Sequence, residues 1–151
     1  YNSIEEYLKT SVAAGKISEE YAGLINLKRF EEFLQTDLGK RMGSAYKKGL
    51  LFREQPFIME LGADMIDKEY PSDEKILVQG IVDAFFFEDD KVYIVDYKTD
   101  RVEQGKAGEK ALVERYHKQL ELYADTISRV TGKEMGGCYI YSTCLKKEIL
   151  I

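Results

Sequence analysis

Two runs of β-branched and aromatic residues, 76–87 and 91–98, flank the acidic pair Asp89-Asp90, and this arrangement leaves few options for the middle of the chain. Runs of that composition suit the pleated, half-buried surface of a sheet, and two of them around a short polar turn form an antiparallel hairpin. A two-residue turn at Asp89-Asp90 and a four-residue turn over residues 88–91 give the same register, and either sets Asp83 opposite Asp96. Directly opposed residues share a face, with Cβ atoms about 4.5–5.5 Å apart, so two carboxylates are expected to meet. Lys98 follows Asp96 by two positions, and the period of two in a strand returns its ammonium to the same face.

Like charges opposed in a sheet destabilise it, and the apolar neighbours Ile81, Ala84, Ile94 and Val95 make the pair more costly if it is buried. A bound cation removes that cost. Oxygen-only ligands suit Mg²⁺ or Mn²⁺, which hold one or two protein carboxylates and keep positions open for water and phosphate oxygens. Phosphodiester hydrolysis needs a water made nucleophilic at neutral pH and a counter-charge for the phosphate, and a metal with a nearby lysine supplies both. An Asp-x-Lys triplet alone is weak evidence, because acidic residues at strand ends are common solvated decoration. The signal lies in the combination of an aspartate inside an apolar run, the matched register and a lysine on the same face.

Around the hairpin the apolar spacing assigns the rest of the chain. Residues from Ser3 to about Ala14, from Ser18 to about Thr36, and from Thr36-Asp37 to near Gly49 read as helices, with Ser18 and Thr36 as N-caps. Residues 51–59 read as a strand that Pro56 pushes towards a sheet edge, and 62–74 as a polar loop. After a loop from Arg101 to about Gly108, Leu112, Tyr116, Leu120, Tyr123, Ile127 and Val130 stripe a long helix that Gly132 stops. Residues 136–142 and 148–151 give two further strands, so the fold class is α/β (α+β).

At 151 residues the chain fits one domain, 1–151, with a helical N-terminal segment over 1–49 and a core over 50–151. No apolar run approaches the roughly 18 residues of a membrane span, which points to a cytoplasmic protein without a membrane partner. The chain opens at Tyr1 and ends inside an expected strand, and so reads as a fragment of a longer protein. A net charge of −5 argues against a free-standing nucleic-acid binder and leaves other parts of that protein to hold DNA. Cys138 and Cys144 lack partners at zinc spacing and are expected to be buried thiols.

Gly80-Ile81-Val82-Asp83, Asp96-Tyr97-Lys98-Thr99-Asp100 and Gln119-Leu120-Glu121-Leu122-Tyr123 resemble, in order and spacing, the motifs of RecB-like nuclease domains. Residues 36–41 and 53–57 further resemble the AddA subunits of bacterial AddAB helicase-nucleases, so the likeness covers nearly the whole chain. The resemblance implies a PD-(D/E)XK fold, a mixed central sheet flanked by helices. It implies Asp83, Asp96 and the backbone carbonyl of Tyr97 as metal ligands, Lys98 as the catalytic lysine, and Gln119 and Tyr123 as residues that orient water or phosphate. The implied cofactor is Mg²⁺, with Mn²⁺ or Ca²⁺ as substitutes, and ATP belongs only to the helicase part of the parent. The implied activity is metal-dependent hydrolysis of DNA by an activated water, during processing of double-strand ends for recombinational repair. Implied partners are single strands from unwound DNA, the parent's helicase domains and an AddB-type second subunit.

One departure from the family pattern concerns histidine. Members usually carry a histidine ligand on a helix upstream of the Gly-x-x-Asp strand, whereas the single histidine here, His117, follows the Asp-x-Lys motif and reads as a surface residue. The resemblance therefore leads us to expect a chain that binds metal weakly and cuts DNA poorly on its own. Glu54 reads as an exposed strand charge or a carboxylate near the site, and Arg101 as a phosphate contact. Other readings are a scaffold domain that has lost cutting, or a PD-(D/E)XK nuclease of another setting, since fold alone does not fix function.

Overall fold

A computed structural model of the chain describes residues 3–65, 68–71 and 73–151. The chain forms two compact units, Tyr1–Gly43 and Ser44–Ile151. In the first, α1 (Ile4–Ala13), α2 (Glu19–Leu24) and α3 (Leu27–Gln35) are followed by the start of α4 (Asp37–Lys47). Hydroxyl oxygens cap three of the four, accepting from backbone N–H groups: Ser3 from Glu6 at 3.1 Å, Ser18 from Tyr21 at 3.2 Å, Thr36 from Gly39 at 3.0 Å. The continuous helix expected over 18–36 is instead two, because Ile25 and Asn26 adopt extended backbone between α2 and α3. The break keeps Ile25, Leu27, Phe30, Phe33 and Leu34 around one apolar cavity shared with α1.

The second unit is built on a mixed five-stranded sheet in the order β1-β2-β3-β4-β5, comprising β1 (Leu51–Gly62), β2 (Lys75–Glu88), β3 (Lys91–Lys98), β4 (Glu134–Ser142) and β5 (Lys147–Leu150). Only β3 and β4 run parallel, and α5 (Lys106–Thr131) makes the crossover between them. The strand containing Pro56 lies at an edge, where the missing N–H costs no ladder bond. Most of the loop expected over 62–74 is turn and short 3-10 helix; residues 66, 67 and 72 lie outside the described set. The β2–β3 hairpin has the expected register, with Glu88 opposite Lys91, and both turn residues, Asp89 and Asp90, have positive φ, as a type I′ turn requires.

Val92 and Ile94 of β3, Cys138 and Ile140 of β4 and Ile149 of β5 bury against Leu112, Leu120, Tyr123 and Ile127 of α5. Gly132 ends that helix in the left-handed region at φ 65, as the sequence indicates. The helix begins earlier than expected, at Lys106, so Gly108 lies inside its first turn rather than in the loop. Cys138 is buried, but Cys144 is only half-buried, contrary to expectation, because it follows the end of β4. Among the described residues, no helix is long and apolar enough to cross a membrane.

Candidate active site

The β2–β3 ladder runs from Glu88–Lys91 to Ala84–Val95 and stops there. Hydrogen-bonded pairs alternate along an antiparallel hairpin, and after Ala84–Val95 the next would join Val82 to Tyr97. Instead the Tyr97 N–H donates to Asp83 Oδ2 at 2.9 Å. The side chain of Asp83 takes the amide that a main-chain carbonyl would have taken. Asp83 and Asp96 thus keep the hairpin's register but are not a ladder pair, because the Asp83 side chain occupies the amide of Tyr97.

Both neighbouring strands kink at the same level. In β1, Glu54 has φ 51 and breaks the pairing between Arg53–Ala84 and Gln55–Val82. The strands change face across the kink. Phe52 stacks on the core residue Phe85, whereas Phe57, five residues on, meets Tyr123. Likewise both Val82 and Phe85 enter the core, which an unkinked strand cannot do with residues three apart. Asp83 lies at this kink, lining an open groove of about 780 Å³ with Arg53, Glu54, Gln55 and Tyr97.

On β3, Asp96 and Lys98 continue the side of the strand on which Val92 and Ile94 pack against α5. Asp96 is 3% exposed. Its Oδ2 lies 2.6 Å from Lys98 Nζ, an ion pair, yet that oxygen has no partner in hydrogen-bond geometry. Lys98 Nζ also donates to Gln119 Oε1 at 3.4 Å and stands 4.0 Å above the Tyr116 ring. Gln119 Nε2 donates to the Tyr123 hydroxyl at 2.7 Å, as the spacing of four on one helix face allows. Asp96, Lys98, Gln119 and Tyr123 therefore form one contact chain; Asp83 approaches it through the Tyr97 amide, which is bonded directly to the Asp96 carbonyl carbon.

Burial raises the Asp96 carboxyl above the ordinary aspartate value, the Lys98 ammonium pulls it back, and the charges of Asp83 and Asp100 raise it further. A nearly dry carboxylate paired with one ammonium, and feeling the charge of a second carboxylate, can accept a cation only in competition with that ammonium. Among the described residues no group of three or more His, Cys, Asp and Glu side chains converges. Asp83 and Asp96 by themselves therefore make no closed all-protein cage and would leave most positions around a hard cation to water.

His117 lies on the exposed side of α5, its Nδ1 3.3 Å from Glu121 Oε2, away from this chain of contacts. Glu54 is exposed but lines the groove beside Asp83. Tyr116, Asp100 and Arg115 were not among the expected site residues. The Tyr116 hydroxyl lies 2.9 Å from both Asp100 oxygens, and Arg115 pairs with Asp100 Oδ1. The available signal was Tyr116 standing three residues before Gln119 on one helix face, but an apolar stripe explains a tyrosine there equally well.

Residues 5–148 match the PD-(D/E)XK nuclease superfamily. Among curated proteins, the chain is 40% identical over 152 residues to the A subunit of the ATP-dependent helicase/nuclease of Clostridium perfringens strain SM101, a match that spans 97% of this chain and 12% of that protein. It is 40% identical to the corresponding helicase/nuclease protein of Thermoanaerobacter sp. strain X514, over 91% of this chain and 11% of the relative. That of Listeria monocytogenes serotype 4a is 34% identical over the same shares, 91% and 11%. The chain therefore spans about an eighth of the length of the relatives it matches.

Proposed function

The chain belongs to the PD-(D/E)XK nuclease superfamily, and from that premise we propose that it is a single nuclease domain that hydrolyses phosphodiester bonds in DNA, with Asp83, Asp96, Lys98, Gln119 and Tyr123 as its working residues. The observation that carries this reading is the nearly fully buried Asp96 carboxylate, its Oδ2 2.6 Å from the Lys98 ammonium and its proton affinity raised by burial and by the charge of Asp83. Asp83, Asp96 and the Tyr97 carbonyl would hold a divalent cation, Mg²⁺ by preference with Mn²⁺ or Ca²⁺ in its place. Such a cation supplies an acidified water at neutral pH and neutralises phosphate charge.

The chain's own residues do the rest. An ammonium has three N–H donors. Lys98 ion-pairs with Asp96 and donates one N–H to Gln119, which leaves donor capacity for a phosphoryl oxygen gaining charge in the transition state. Gln119, held by the Tyr123 hydroxyl, presents a fixed amide beside that lysine and limits where the phosphate can sit. The Asp83 groove, with Arg53 on its wall, gives a strand a path to Asp83.

The similarity to helicase/nuclease subunits supports a wider setting. In it, the domain cuts single strands delivered by an ATP-driven helicase in the same protein, beside a second subunit, during processing of double-strand ends for recombinational repair. The test titrates Mn²⁺ into the chain, into Asp96→Ala and into the full-length protein that carries it, and follows cleavage of single-stranded DNA. Binding and cleavage lost in Asp96→Ala is the expected result; metal binding indifferent to that substitution would move the site elsewhere.

A further inference from the structure

Lys98 carries its ammonium on a flexible four-carbon stem, so its placement needs an explanation beyond its own backbone. Two of its contacts, to Asp96 and Gln119, are polar, and an incoming cation or phosphate oxygen competes for both. The third is the Tyr116 ring, 4.0 Å below the nitrogen, which nothing in the reaction competes for. Tyr116 is itself tied at its far end. Its hydroxyl meets the Asp100 carboxylate at 2.9 Å, and Arg115, its neighbour on α5, holds the same carboxylate. Asp100 lies two residues beyond Lys98. The segment 98–100 thus folds back on one tyrosine at both ends, ammonium on the ring face and carboxylate on the hydroxyl.

We infer that Tyr116, tethered by Asp100 and Arg115, is a positioning residue that holds the Lys98 ammonium in place when its polar partners are drawn away during turnover. This rests on the nuclease reading above. A cation over an aromatic face is held most firmly where water is scarce, and the Lys98 side chain is 15% exposed. The Asp100 tether matters because a tyrosine free to swing would carry the lysine with it.

The experiment compares Tyr116→Leu, Tyr116→Phe and Asp100→Asn with the unchanged chain, with Lys98→Ala and Asp96→Asn as controls. It measures kcat and KM for single-stranded DNA with Mn²⁺ in the full-length protein that carries the chain, and in the chain itself Mn²⁺ affinity by calorimetry, thermal stability, and the proton shifts of the Lys98 ε-methylene by NMR. Tyr116→Leu is expected to lower kcat about tenfold with KM and Mn²⁺ affinity unchanged, the size that a desolvated cation–ring contact supplies. Tyr116→Phe keeps the ring and is expected to lose only about threefold, as is Asp100→Asn. The ε-methylene protons, shielded by the ring, should move downfield in Tyr116→Leu and stay shielded in Tyr116→Phe. A merely structural role would lower thermal stability and leave kcat and KM at 25 °C alone; that result, or an ε-methylene shift indifferent to Tyr116→Leu, overturns the inference. If Lys98→Ala and Asp96→Asn leave cleavage intact, the nuclease reading fails instead, and the ε-methylene shift still decides whether the tyrosine holds the lysine.

Discussion

Asp96 and Lys98 neutralise each other where either alone would be costly, with side chains 4% and 15% exposed. A divalent cation arriving at Asp96 has to compete with that ammonium. Lys98→Ala should therefore separate two effects that a simple loss of the site would couple: Mn²⁺ affinity, read by calorimetry, rises roughly tenfold as a like charge is removed, while cleavage falls by at least a hundredfold. Parallel losses of both would contradict the competition. The sign for Asp96 follows from burial, which raises its folded pKa above the unfolded value. The stability associated with its protonated form is present below the unfolded pKa and lost as pH rises through the raised one, so at neutral pH the ionised carboxylate destabilises the metal-free fold. Asp96→Asn removes that cost together with the partner of the Lys98 ammonium, so it should flatten the dependence of the melting temperature from acid to neutral pH and abolish any increase on adding Mn²⁺. Among these residues the sequence made Asp96 and Lys98 legible, because a period of two needs no tertiary knowledge. The Asp100–Tyr116 contact was not legible, because it joins residues 16 apart across a loop whose path no periodicity specifies.

For elements, the hairpin register followed from the length of a two-residue turn, and the long helix from its apolar stripe and its terminal glycine. What local pattern could not give was the kink shared by β1 and β2, since it arises where a carboxylate displaces a backbone acceptor and a non-glycine residue, Glu54, enters positive φ. The split between α2 and α3 was also hidden, because apolar spacing continues across it and only the extended backbone at Ile25 and Asn26 reveals it. Gly108 teaches the same lesson in the first turn of α5. Replacing a glycine inside a helix by alanine ordinarily stabilises by roughly 1 kcal/mol. Here a Cβ would overlap the Glu103 carbonyl oxygen, a backbone atom that cannot rotate away. Gly108→Ala should reverse the usual sign and destabilise by about 1–3 kcal/mol, measurable as a lower urea midpoint with an unchanged slope. A stabilised Gly108→Ala would mean that the loop before α5 relaxes freely and does not fix the helix start.

Across the whole molecule, burial is divided unevenly between helices α1–α3 and the sheet with α5. Helices α1 to α3 bury only Ser11 below the surface, whereas the sheet and α5 enclose Val82, Val92, Ile94, Leu112, Leu120 and Ile140 completely. Local opening follows the density of buried apolar contacts, so amides of α1–α3 should exchange with solvent well before those of β3 and β4. Cys138 offers a probe of the slower unit. Burial pushes its thiol up to about 11, and since the thiolate is the attacking form, only roughly one part in ten thousand reacts at pH 7 even apart from access. Cys144, half-buried with Sγ 3.6 Å from the Val102 carbonyl oxygen, has no such core around it. With a thiol reagent in native buffer, Cys144 should label first and Cys138 much later, at a rate that rises with urea as steeply as global unfolding does. Early labelling of Cys138, insensitive to urea, would mean that β4 separates from α5 without unfolding of the sheet. In that case the helix carrying Gln119 and Tyr123 could not serve as a rigid wall for Lys98.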